Sequence, residues 1–132
     1  MDKKLRKFWL LSEGIIELAK NKKTTKILQS EIMVAPFETI NLVVHKVLDD
    51  LQGILFHKYG NYFLSVLISA CNCEQRILIL NSLKGHFLDA CFNIYGMHPI
   101  QAILSRKLSE TEETIIRTLI KGKLLSLSLV YK

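Results

Sequence analysis

Apolar residues along this chain recur at three- and four-residue intervals, in blocks of about ten. In "MHPIQAILSRKL", Ile100, Ile103 and Leu104 stand at i, i+3 and i+4, on one face of a helix. Pro99 fits that helix because it sits in the first turn, where its missing N–H is not needed. "GHFLDACF" predicts a short apolar helix before it. "NYFLSVLISA" and "EQRILILNSL" predict two more, separated by a break at Cys71-Asn72-Cys73. Ser109 and Glu112 form an S-x-x-E capping box ahead of "EETIIRTLI". Only 6 Gly and 2 Pro interrupt 132 residues, so the expectation is an all-α chain.

The blocks repeat. Tyr59-Gly60 in "HKYGNYFLSVLI" returns 36 residues later as Tyr95-Gly96 in "NIYGMHPIQAIL". The same step pairs Ile15 with Leu51 and Phe87, and Ala19 with Leu55 and Cys91. It pairs Leu28 with Leu64 and Ile100, Ile32 with Ile68 and Leu104, and Gln29 with Ser65 and Gln101. An upstream copy therefore lies in "IIELAKNKKTTKILQSEI", with Lys23-Thr24 in place of Tyr-Gly. A fourth begins where "IKGKLLSLSL" echoes "LKGHFLDACF", at a step of 37. All amphipathic helices share an aliphatic rhythm, so the argument rests on Tyr-Gly, the paired glutamines and the Lys-Gly entries. One such unit cannot bury its apolar face alone, whereas stacked units can. The expected architecture is an all-α curved solenoid of three-helix repeats. A basic capping segment is expected over residues 1–12, and over 13–132 an array of three repeats with the start of a fourth.

Charge narrows the partners. The 18 Lys and Arg against 12 Asp and Glu give a net +6 and a pI near 9.3. That balance suits nucleic acid or an anionic surface and proves neither. Lys20, Lys22, Lys23 and Lys26 cluster in the first unit; Lys3, Lys4, Arg6 and Lys7 form a second group beside Phe8 and Trp9. After "MDKKLRK" only "FWLL" is apolar, too short for a signal core or a membrane span. Cys71, Cys73 and Cys91 are odd in number and lack zinc spacing, so reduced thiols of an intracellular protein are expected. His45, His57, His86 and His98 show no metal-ligand spacing, and no catalytic constellation stands out. The chain reads as a non-enzyme with no metal and no cofactor.

The repeat resembles the Pumilio-homology (PUF) family, over about residues 10 to 132 in order. "GIIELAKNKKTTKILQSEI", "KYGNYFLSVLI" and "LKGHFLDACFNIYGMHPIQAIL" resemble the first three repeats of that domain. The resemblance implies a single-stranded RNA-binding protein, a cytoplasmic regulator of messenger RNA. One helix per repeat would then face the RNA, with side chains at i and i+4 meeting one base edge and the residue at i+1 stacking between bases. It assigns these roles to Thr25, Lys26 and Gln29, then to Asn61, Tyr62 and Ser65, then to Met97, His98 and Gln101. Lys20, Lys22 and Lys23 would meet the RNA backbone. The trios depart from the family pattern. Ser65 stands where Gln is usual, Met97 where a small residue is usual, and Lys26 where Arg is usual. The resemblance implies a 5′-A-U-A-3′ core whose middle base is held least firmly, because Ser65 is short.

Two rival functions remain open at this level. One is a nucleolar PUF-like protein that grips structured RNA during ribosome assembly. The other is a protein-interaction scaffold that has lost RNA binding. "GKLLSLSLVYK" carries Leu124, Leu125, Leu127, Leu129 and Val130 with no following helix to cover them, so self-association or a protein partner is expected at the C-terminal repeat. No membrane partner is expected.

Overall fold

The computed structural model describes residues 14–130, with side chains as far as Lys121. Every regular element among them is helical. The first unit comprises α1 (Gly14–Ala19), α2 (Lys22–Met33) and α3 (Phe37–Val47). A 3-10 turn (Leu48–Asp50) leads to the second, α4 (Leu51–Leu55), α5 (Gly60–Ala70) and α6 (Cys73–Ser82). The third comprises α7 (Phe87–Cys91), α8 (Met97–Leu104) and α9 (Glu110–Val130). Each unit is thus a short helix followed by two longer ones, and the units stack into a curved α-solenoid. The second helices form one layer, α2 on α5 on α8, and the third helices pack behind them.

Burial follows the repeat register. Ile15, Leu51 and Phe87 are buried at one position, and Leu28, Leu64 and Ile100 at another. Phe63, Leu64, Leu67 and Ile68 of the middle unit are fully enclosed, because α5 has a neighbour on both sides. The register drifts only at the edge of the stack. Ile32 and Ile68 are buried, but Leu104 at the same position is exposed, since no further second helix lies beside α8 among the described residues. Helix α8 stops at Leu104, short of the "SRKL" expected to extend it. Cys91, at the register position of the buried Ala19 and Leu55, is half-buried against the core. All three cysteines are free, and burial pushes the Cys71 thiol up to about 12.

Caps set the helix starts. Asn72 and Gln75 close a reciprocal capping box on α6. Ser109 and Glu112 do the same for α9, as their spacing predicts: Ser109 Oγ accepts from Glu112 N at 3.2 Å and Glu112 Oε1 from Ser109 N at 3.3 Å. Glu112 also binds across the unit boundary. Arg76 of α6 grips it with two parallel bonds of 2.9 Å and donates a third to Cys71 O.

Where unit two turns between Ser82 and Phe87, α9 runs on through Lys121 and Gly122 as one helix. The expected capping segment, residues 1–12, and the side chains of Leu124, Leu125, Leu127, Leu129 and Val130 lie outside the described residues.

Candidate nucleic-acid interface

The exposed edge of the α2–α5–α8 layer begins at the turn before each helix, and that turn is built alike three times. Asn21, His57 and Asn93 occupy one register position. Asn21 Oδ1 accepts from Lys23 N and Thr24 N at 2.9 and 3.2 Å. His57 Nδ1 accepts from Tyr59 N and Gly60 N at 3.0 and 3.1 Å. Asn93 Oδ1 accepts from Tyr95 N and Gly96 N at 2.8 and 3.0 Å. Each acceptor satisfies backbone donors that a helix start would otherwise leave unpaired.

The same turn explains the repeated Tyr-Gly. A Cβ on Gly60 would lie 2.9 Å from Ile54 O, and one on Gly96 would lie 2.9 Å from Ala90 Cα. The helix start is pressed onto the preceding short helix, and only glycine fits. In the first unit Thr24 stands there instead, and its hydroxyl donates to Leu18 O at 2.6 Å. Leu18, Ile54 and Ala90 share one register position, so one contact is met by a hydrogen bond once and by glycine twice.

The three trios lie along these helices but do not present equally. Thr25 is buried and its Oγ1 accepts from Gln29 Nε2 at 3.3 Å, so the first pair of expected edge-readers engages itself. Asn61 is 0% exposed; its amide nitrogen is held by His57 O and Lys58 O at 2.7 and 2.9 Å. Its Oδ1 has no partner. Ser65 Oγ donates to Asn61 O at 2.8 Å. Of the middle trio only Tyr62 is exposed, at 50%. In the third unit Gln101 is exposed, while Met97 and His98 are half-buried. Tyr62 and His98 stack directly on each other across the unit boundary, with ring centroids 5.2 Å apart and planes 29° from parallel.

Cations flank this strip. Lys22, Lys23 and Lys26 are exposed on the first turns of α2. Lys20 is tied to Asp50 at 2.7 Å, so its charge is already partly answered.

Comparison with known proteins places this arrangement. No family profile matches the chain. Putative pumilio homolog 13 of Arabidopsis thaliana is 30% identical over 91 residues, covering 67% of this chain and 17% of the relative. Pumilio homolog 12 of the same plant is 24% identical over 110 residues, covering 81% and 18%. The chain thus spans less than a fifth of the length of these curated relatives. A solved Puf4 RNA-binding domain, bound to the HO endonuclease RNA 3′ UTR recognition sequence, superposes with a TM-score of 0.75 at 20% identity, covering 85% of this chain and 35% of that one. The chain belongs to the Pumilio (PUF) repeat family.

Two features of these PUF repeats escaped the sequence reading. Lys58 shares the register position of Lys22, is exposed, and reaches over the Tyr59 ring at 5.5 Å, extending the basic edge into the second unit. The Asn21/His57/Asn93 position was legible at the 36-residue step, but His in the middle disguised a shared acceptor role. That substitution has a pH consequence. Burial, and then the nearby Lys20 charge, lower the His57 pKa from its ordinary value. Folding therefore favours the neutral ring whose Nδ1 can accept. Below about pH 6.5 the unfolded chain binds more protons than the native one, so stability falls as pH drops through the lowered pKa. His57→Asn keeps the acceptor and removes the titration. Urea midpoints between pH 8 and 5 should fall more steeply for the wild type than for this variant. Parallel curves would show that His57 plays no such part.

Proposed function

We propose that the α2–α5–α8 face binds single-stranded RNA, in the service of messenger-RNA regulation in the cytoplasm. The observation that carries the reading is the Tyr62–His98 ring pair on adjacent second helices, with Tyr62 exposed, together with the exposed Lys22, Lys23, Lys26 and Lys58 of the same layer and its leading turns. Flat rings offer stacking to any base, and a basic edge tracks the phosphates. The Puf4 domain of similar fold is solved with an RNA recognition sequence, which supports the same ligand class here.

The grip we infer is mainly stacking and charge, with loose base selection. Gln101 is the exposed amide best placed to address a base edge, whereas Asn61 and Ser65 are committed to backbone carbonyls. Binding should therefore be salt-sensitive. Replacing Lys22, Lys23 and Lys26 together with Ala should weaken all RNA sequences alike. The slope of log K against log salt should flatten by about 2, at about 0.7 for each single-strand phosphate that the lysines no longer neutralise. Fluorescence anisotropy with a labelled RNA pool at 50 to 200 mM salt measures this. An unchanged slope would remove these lysines as phosphate contacts, and no salt-sensitive RNA binding by the wild type would favour the protein-scaffold reading.

A further inference from the structure

Beside the reading strip lies a cavity of about 410 Å³, lined by Met33 of α2 and by Ser65, Val66, Ser69 and Ala70 of α5. It opens where α5 carries small residues. Ser65, Ser69 and Ala70 correspond to Gln29, Met33 and Val34 in the first unit, and to Gln101, Ser105 and Arg106 in the third. Met33 is its one α2 lining residue and is 74% exposed. No charged side chain lines it, and the Ser65 hydroxyl proton is already given to Asn61 O. The chemistry suits a flat, uncharged, largely apolar group that is held by packing and not read by hydrogen bonds.

The neighbouring ladder supplies a candidate. A base sandwiched between two rings needs them about 7 Å apart, twice the ~3.5 Å contact distance. Tyr62 and His98 are 5.2 Å apart and already in contact. The step between units two and three is closed, and the edge-readers beneath it are bonded to backbone carbonyls. Tyr62, Ser65 and Ser69 lie at i, i+3 and i+7 on one stripe of α5. The cavity is then roughly 5–10 Å along the axis from Tyr62, at 1.5 Å per residue.

We propose that this cavity is a nucleobase site: it receives the base displaced by the closed Tyr62–His98 pair and packs it on Met33 and Val66 without reading its identity. The thioether of Met33 is a favourable neighbour for an aromatic ring and adapts to its shape. The inference rests on the RNA-binding reading above and replaces selective uracil recognition at the middle position with sequence-blind accommodation.

The test uses the full chain and fluorescein-labelled RNAs containing 5′-A-N-A-3′. The middle position carries each of the four bases, or an abasic nucleotide. The expected result is that the four bases bind within about threefold of one another. The abasic RNA should bind about tenfold more weakly, in line with the loss of one packed base. Ala70→Phe, at an exposed helix end, should fill the cavity and erase the abasic penalty while the melting temperature holds. Ser69→Phe serves as an independent filling variant. More than tenfold preference for one middle base, no abasic penalty, or a penalty that survives both variants would overturn the proposal and leave RNA binding standing. Failure of the wild type to bind any of the RNAs would overturn both.

Discussion

Glu112→Ala is expected to cost about 3–5 kcal/mol of folding stability, enough to unfold much of the domain. Glu112 is 0% exposed and receives two bonds of 2.9 Å from Arg76, one unit away. Removing it leaves the Arg76 guanidinium, whose side chain is only 11% exposed, without its counter-charge, and removes the cap of α9. Arg76→Ala should cost a similar amount by stranding the carboxylate. The double variant should cost clearly less than the two singles combined, because neither ion is then left alone. Urea denaturation of the four proteins measures the coupling. Additive costs would mean that the pair does not join the units.

The same pair sets the acid limit. Burial alone would raise the Glu112 pKa, but the Arg76 bonds and the Ser109 N–H outweigh it and hold the carboxyl below its ordinary value. Its contribution is therefore complete above about pH 4.3, the ordinary Glu value, and is lost as pH falls through the lowered pKa. Acid unfolding of the wild type should include this loss, and Glu112→Gln should lack it.

Gly96→Val is expected to destabilise by about 3 kcal/mol, the upper part of the usual overpacking range. Its new Cβ would fall 2.9 Å from Ala90 Cα and 3.0 Å from Ala90 Cβ, and backbone cannot swing aside as a side-chain end can. Gly60→Val should behave alike against Ile54 O. Gly85 is the contrast. Nothing lies within 4 Å of a Cβ built there, and no glycine among the described residues has a positive φ. Gly85→Ala should be neutral or stabilise by about 0.4–1 kcal/mol, through the unfolded chain's lost freedom. Thermal melts of the three variants decide the matter. A Gly96→Val protein as stable as the wild type would remove close packing as the reason for the Tyr-Gly repeat.

The glycines also show how far the sequence reaches. Tyr-Gly and Lys-Gly were equally visible as repeated pairs. Only the docked backbones separate a glycine that is required, Gly96, from one with room to spare, Gly85. The RNA-facing trios divide the same way. Register placed all nine residues on the second helices of three successive units. It could not say that Asn61 would turn inward to two carbonyls, or that Tyr62 and His98 would close on each other.

By itself the sequence determined what acts within a turn or two of helix: the apolar faces, the break before α6, the Ser109–Glu112 box, and the 36-residue period that demands stacking. These signals are local, because helix hydrogen bonds and caps link residues three or four apart. What only the tertiary structure decided lies across unit boundaries: the Arg76–Glu112 clamp, the fit of Gly96 on Ala90, the closed aromatic step and the cavity beside it. Those depend on how closely one unit settles against the next, to within an ångström. An aliphatic pattern shared by every helix does not encode that distance.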